Sequence, residues 1–171
     1  MVEAAVEITE ERISAGDLHR IVGLGKDLLR HPVEVLDGVR EAVEAVSAHH
    51  PVVLITKGDL FHQEAKVRDS GMADLFRRIE IVSEKDAATY ARLFEEFDIA
   101  PQRFLMVGNS LRSDIAPVLE LGGWGVHVPY HTTWAHEADA TLRHGGERMR
   151  TIAGIADLAQ AVQELDAIAA R

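Results

Sequence analysis

Apolar residues recur at helical spacing through the first fifty positions, then give way to short apolar runs separated by helical stretches. In the first segment Leu18, Ile21, Val22, Gly25, Leu28 and Leu29 follow a 3.6-residue period, and Ser14 with Asp17 reads as the capping box that opens it. The His31-Pro32 step ends that helix, because the residue before a proline is pushed out of the α region. Val39, Ala42, Val43 and Val46 form the stripe of a second helix.

Beyond Pro51 the period changes. Val52-Val53-Leu54-Ile55 is a continuous β-branched and aliphatic run, the pattern of a strand covered on both faces. Ile79–Val82, Phe104–Val107 and Gly125–Val128 repeat that texture. Between them lie a helix over 59–70 that stops at Gly71, a helix carrying Tyr90, Leu93, Phe94 and Phe97, and a helix reaching Leu119. Ile155, Leu158, Ala159, Val162 and Leu165 predict an amphipathic closing helix. Strands alternating with helices of this length imply βαβ crossovers and a parallel α/β sheet.

Composition narrows the class. The chain has 171 residues, suited to one ordinary domain, with 47% hydrophobic and 27% charged side chains, which excludes wholesale disorder. A net charge of −10 argues against a nucleic-acid partner, whose footprint is a basic face. The absence of cysteine removes disulfide frameworks, thiol nucleophiles and Cys-based zinc sites. No apolar run reaches the roughly 20 residues that span a bilayer, and the acidic N-terminus does not read as a signal peptide. The expectation is a cytoplasmic protein with no membrane partner.

In open parallel sheets, ligands bind at the carboxyl ends of the strands. Thr56-Lys57-Gly58-Asp59 follows the first strand: a hydroxyl, a glycine-loosened turn and a helix start, which suit a phosphate cradle or an ordinary helix cap. Ser83-Glu84-Lys85-Asp86 follows the second. Ser83 and Asp86 fit a capping box, which puts Lys85 in a first helical turn, where a cation is slightly disfavoured. Gly108-Asn109-Ser110-Leu111-Arg112-Ser113-Asp114 follows the third, and its oxygen donors suit Mg²⁺, which keeps several waters. Jointly these loops fit a phosphate-and-magnesium pocket.

The ordered set Leu54-Ile55-Thr56-Lys57-Gly58, Lys85, and Val107-Gly108-Asn109-Ser110 through Asp114-Ile115 resembles the haloacid dehalogenase-like hydrolase superfamily. That resemblance implies a three-layer Rossmann-like core over 33–171, with 1–32 the remnant of a helical cap. It implies that Thr56 and Lys57 bind a phosphoryl group and that Lys85 neutralises the charge shared with the nucleophile. Asp114 and Asn109 would hold Mg²⁺, with Asn109 standing where many members carry a second Asp. The implied substrate is a small phosphorylated metabolite, attacked through an aspartyl-phosphate intermediate, although the superfamily also contains metal-free dehalogenases.

One part of the pattern is missing. The family's nucleophile lies in an Asp-x-Asp pair ending the first core strand, and no Asp-x-Asp occurs in this chain. That strand belongs between those ending at Thr56 and Val107. The expectation is therefore a portion of a longer protein, inactive as it stands. If the chain folds alone, strands 52–55 and 104–107 must pair directly or another chain must fill the slot, and exposed sheet edges favour a homo-oligomer. The alternative is a non-catalytic module that keeps the pocket and binds phosphate or a partner.

Other signals are weaker. Gly23-Leu24-Gly25 hints at a dinucleotide fingerprint, but no strand precedes it. A phosphorylation receiver also uses Asp, Thr and Lys at strand ends, yet residues 1–50 offer no strand ending in Asp. His127, His131 and His136 suit a pocket rim better than a transition-metal site, with Trp124 and Trp134 packing nearby.

Overall fold

The computed structural model describes residues 1–130 and 146–171. His131, Trp134 and His136 lie outside them. The described chain forms two compact units, Met1–Glu34 and Val35–Arg171. In the first, helix α1 (Val2–Ile8) precedes helix α2 (Ala15–Leu29). Ser14 caps α2, its hydroxyl accepting from the Asp17 N–H at 3.0 Å and donating to the Asp17 carboxylate at 2.6 Å. Neither helix has a fully buried residue, and Leu24, Leu28 and Leu29 are exposed. Gly23 and Gly25 lie inside α2, with no strand before them.

The second unit holds the α/β core. Helix α3 (Val39–Ser47) leads into strand β1 (Val53–Lys57), helix α4 (Leu60–Asp69) and strand β2 (Arg78–Val82). Helix α5 (Ala87–Glu96) and strand β3 (Leu105–Gly108) follow, then a π-helical turn over Leu111–Ile115 and helix α6 (Ala116–Glu120). Strands β4 (Trp124–His127) and β5 (Met149–Thr151) and helix α7 (Leu158–Ala169) complete it. All strand pairs are parallel, as the alternating pattern predicts.

Side-chain alternation separates two apolar layers. Ile55, Val82 and Met106 pack with Tyr90, Leu93 and Phe94 of α5 and Val118 of α6. Val126 packs instead with Ala42 of α3 and with Leu158, Ala161, Val162 and Leu165 of α7, a cluster that Leu105 and Val107 also join. Strand residues two apart share a face and neighbours oppose, so helices cover both faces of a three-layer α/β core. Among the described residues no helix is long and apolar enough to cross a membrane.

One of two pairing alternatives is decided, one strand is added and one local expectation is corrected. Among the described residues strands β1 and β3 do not pair: β1 bonds only β2, and β3–β4–β5 form a separate sheet, so one edge of β1 and one edge of β3 have no partner strand there. Strand β5 lacks an apolar run, since Arg150 is its centre, and its hydrogen bonds to β4 define it instead. Helix α5 begins at Ala87 rather than after Ser83; Asp86 is its cap, accepting the Thr89 N–H at 2.8 Å. Lys85 therefore lies in the loop before the helix, one residue ahead of its cap, rather than in the first turn.

Candidate active site

The carboxyl ends of β1, β2 and β3 bring together residues remote in sequence. Lys85 Nζ lies 2.8 Å from Asp114 Oδ1, and their side chains are 14% and 6% exposed. The loop after β2 and the π-turn after β3 thus meet in a nearly dry ion pair. Such a pair adds little net stability, since desolvation offsets much of the attraction, but removing either partner strands a buried charge.

Asp114 reaches this position because the chain turns widely after β3. Both the Asp114 and Ile115 N–H groups donate to the Ser110 carbonyl, at 3.0 and 3.2 Å. The second bond spans five residues, the π-type turn often found at functional sites. Ser110 caps the turn through its hydroxyl, which accepts the Ser113 N–H at 2.9 Å. The turn folds the Asp114 carboxylate back over the end of β3, where Oδ2 accepts the Ser110 N–H at 3.0 Å. A Cβ on Gly108 would lie 2.2 Å from that Oδ2, so only glycine leaves room for the carboxylate.

Tyr90, fully buried on α5, donates its hydroxyl to the Ser113 carbonyl at 3.3 Å. Burial, and secondarily the negative charge of Asp114, raise the phenol's pKa above its ordinary value near 10. The folded state therefore keeps a proton that the unfolded chain loses above about pH 10. This contribution to stability is complete below that pH and falls by up to about 1.4 kcal/mol per pH unit above it. Tyr90→Phe is expected to flatten the loss between pH 9 and pH 11 in urea titrations. An identical alkaline slope in both proteins refutes that assignment.

Thr56 does not bond to the Lys85–Asp114 pair. Its Oγ1 donates to Gln63 Oε1 at 3.1 Å. Asp59 caps α4 by accepting the His62 N–H at 3.0 Å, so the loop after β1 combines an ordinary helix cap with a hydroxyl at the strand end. Lys57 points outward, its Nζ 3.4 Å from Glu84 Oε2, an exposed pair worth about 0–1 kcal/mol. Asn109 is exposed at the tip of the β3 loop, and its backbone carbonyl accepts from His127 Nε2 at 3.2 Å. That bond ties the ends of β3 and β4 together.

Sequence patterns single out Thr56, Lys57, Lys85, Asn109 and Asp114, but not Gln63, Glu84 or Tyr90. Glu84 lies in a strand-end loop and Tyr90 on a helical stripe, but only proximity gives these three a place at the site. Asp114 and Asn109 offer one carboxylate and one amide oxygen. Among the described residues no group of three His, Asp or Glu surrounds a metal position. The donor set suits Mg²⁺, which accepts one or two carboxylates and keeps several waters, rather than a closed transition-metal cage.

A family model described as haloacid dehalogenase-like hydrolase matches residues 6–122. The chain is 52% identical to a haloacid dehalogenase-like family hydrolase from Xanthomonas campestris, with a TM-score of 0.88, covering 99% of this chain and 67% of that one. At the level of fold alone it is similar to a HAD family hydrolase from Deinococcus radiodurans with bound phosphate and sodium. There the identity is 17% and the TM-score 0.72, over 95% of this chain and 74% of that one. A predicted phosphoglycolate phosphatase from Haemophilus somnus is 18% identical, with a TM-score of 0.67 over 95% of this chain and 74% of that one. No curated protein matches.

Proposed function

Because this chain belongs to the haloacid dehalogenase-like hydrolase family, we propose that it forms the phosphate- and metal-binding part of a cytoplasmic phosphatase. Its substrate would be a small phosphorylated metabolite, and Asp114 and Asn109 would hold Mg²⁺. The observation that carries this reading is the buried Lys85–Asp114 pair at the carboxyl ends of two separate sheets.

An ammonium has three donors. Lys85 can thus keep Asp114 Oδ1 while turning its remaining N–H groups toward a phosphoryl oxygen. The Thr56 hydroxyl and the N–H groups opening α4 supply further donors, and Lys57 adds charge at the rim. When bound, Mg²⁺ supplies Lewis-acid stabilisation of a phosphoryl oxygen. The protein's contribution would be positioning and fixed electrostatics rather than bond-making by these residues.

The nucleophile is missing from the sequence, which has no Asp-x-Asp pair. The open edges of β1 and β3 suit a further parallel strand, and a strand ending in that pair would deliver the nucleophile beside Lys85. This chain is therefore expected to bind inorganic phosphate in a ³¹P NMR titration without hydrolysing p-nitrophenyl phosphate. Thr56→Val should weaken phosphate binding about tenfold by removing one hydrogen bond to a charged group. No phosphate-dependent change defeats the phosphate reading; turnover by this chain defeats the missing nucleophile.

The missing Asp pair also supports a second reading, a non-catalytic module that binds phosphate or a partner. The coding frame upstream of Met1 separates them. An open frame encoding a strand that ends in Asp-x-Asp favours the enzyme, and an immediate in-frame stop favours the binding module.

A further inference from the structure

The phosphate reading depends on the Thr56 hydroxyl, whose one hydrogen is already engaged by Gln63 Oε1 at 3.1 Å. A hydroxyl has one donor and two acceptor lone pairs. In this arrangement Thr56 can offer an incoming anion only lone pairs, and these repel it. Gln63 lies on α4 and folds back over the loop that precedes the helix. Gly58 there has a φ of +148°, and a Cβ on it would come within 2.6 Å of Gln63 Nε2. The glycine leaves room for the carboxamide, with Oε1 toward Thr56 and Nε2 toward Gly58.

We propose that Gln63 is a positioning residue for Thr56, a role that rests on the phosphate reading above. With no anion bound, its carboxamide oxygen holds the Thr56 hydrogen. When phosphate enters, the carboxamide turns about its terminal torsion and donates Nε2–H to Thr56 Oγ1. The Thr56 hydrogen is then free for a phosphoryl oxygen. That torsion is broad and roughly two-fold, and the amide's oxygen and nitrogen are close in size, so the turn keeps the packing. No bond is made or broken beyond the exchange of hydrogen bonds.

The test is ³¹P NMR titration of the whole chain with inorganic phosphate at neutral pH. Gln63→Glu keeps the shape but has only acceptors, so it holds the Thr56 hydrogen in a charge-assisted bond. It is expected to weaken binding about 10- to 100-fold. Gln63→Leu removes one hydrogen bond from the free state and one from the bound state, so it is expected to leave binding within about threefold of the unaltered chain. The Gln63→Glu effect should vanish in the Thr56→Val background, where there is no hydrogen to position. A merely structural Gln63 predicts that both variants weaken binding alike, and that result overturns the proposal. So does a Gln63→Glu effect that persists without the hydroxyl, which marks simple charge repulsion. If the unaltered chain binds no phosphate, the underlying phosphate reading fails first, and the two failures are thereby distinguished.

Discussion

Lys85→Met is expected to destabilise the fold by about 3–5 kcal/mol, the usual consequence of removing one partner from a buried ion pair. Methionine keeps the apolar stem of the lysine, so the change isolates the charge. Asp114, only 6% exposed, would be left with the Ser110 N–H at 3.0 Å as its described partner. Adding Asp114→Asn removes the stranded charge, so the double variant should be more stable than Lys85→Met alone. Urea unfolding midpoints measure both effects. The control is Lys66→Met, at an exposed position on α4. If Lys85→Met shifts the midpoint no more than this control, Lys85 and Asp114 do not form a buried ion pair.

Gly108→Ala should cost about 1–3 kcal/mol from overpacking and also dislodge the Asp114 carboxylate. The added Cβ would lie 2.2 Å from Asp114 Oδ2, 2.4 Å from its Cγ and 2.6 Å from its Cβ. No rotation of a flexible tip relieves three such contacts, because one of them is to the root of the side chain. The carboxylate must move, weakening its bonds to both Ser110 and Lys85. Stability and phosphate affinity should therefore fall together. Gly25→Ala is the opposite case: its Cβ meets nothing within 4 Å, inside α2. There alanine should stabilise by about 0.4–1 kcal/mol, since glycine loses more backbone entropy on folding. Equal effects at the two positions would refute the close approach at Gly108.

Much of the core was legible because its signals are local. The apolar runs at 52–55, 79–82, 104–107 and 125–128 each overlap a parallel strand, and the helical stripes between them each overlap a helix. Two local errors have local causes. Ser83 and Asp86 satisfy the spacing of a capping box, yet Asp86 caps the helix, because Lys85 is drawn to Asp114 rather than into the first turn. Met149–Thr151 pairs with β4 although its centre is an arginine, so no apolar period announces it.

Read along the chain alone, the residues establish the order and type of the core elements apart from β5, and which loops carry hydroxyl, amine and carboxylate groups at strand ends. Periodicity and chain-local capping suffice for that, since both act over one or two turns. Packing alone brings Lys85 to Asp114, 29 positions away, and gives the Thr56 hydrogen to Gln63. The tertiary structure alone shows that β1 and β3 do not pair among the described residues. Those outcomes depend on how separately predicted elements pack, and the energies that decide them arise between residues whose spacing along the chain carries no pattern.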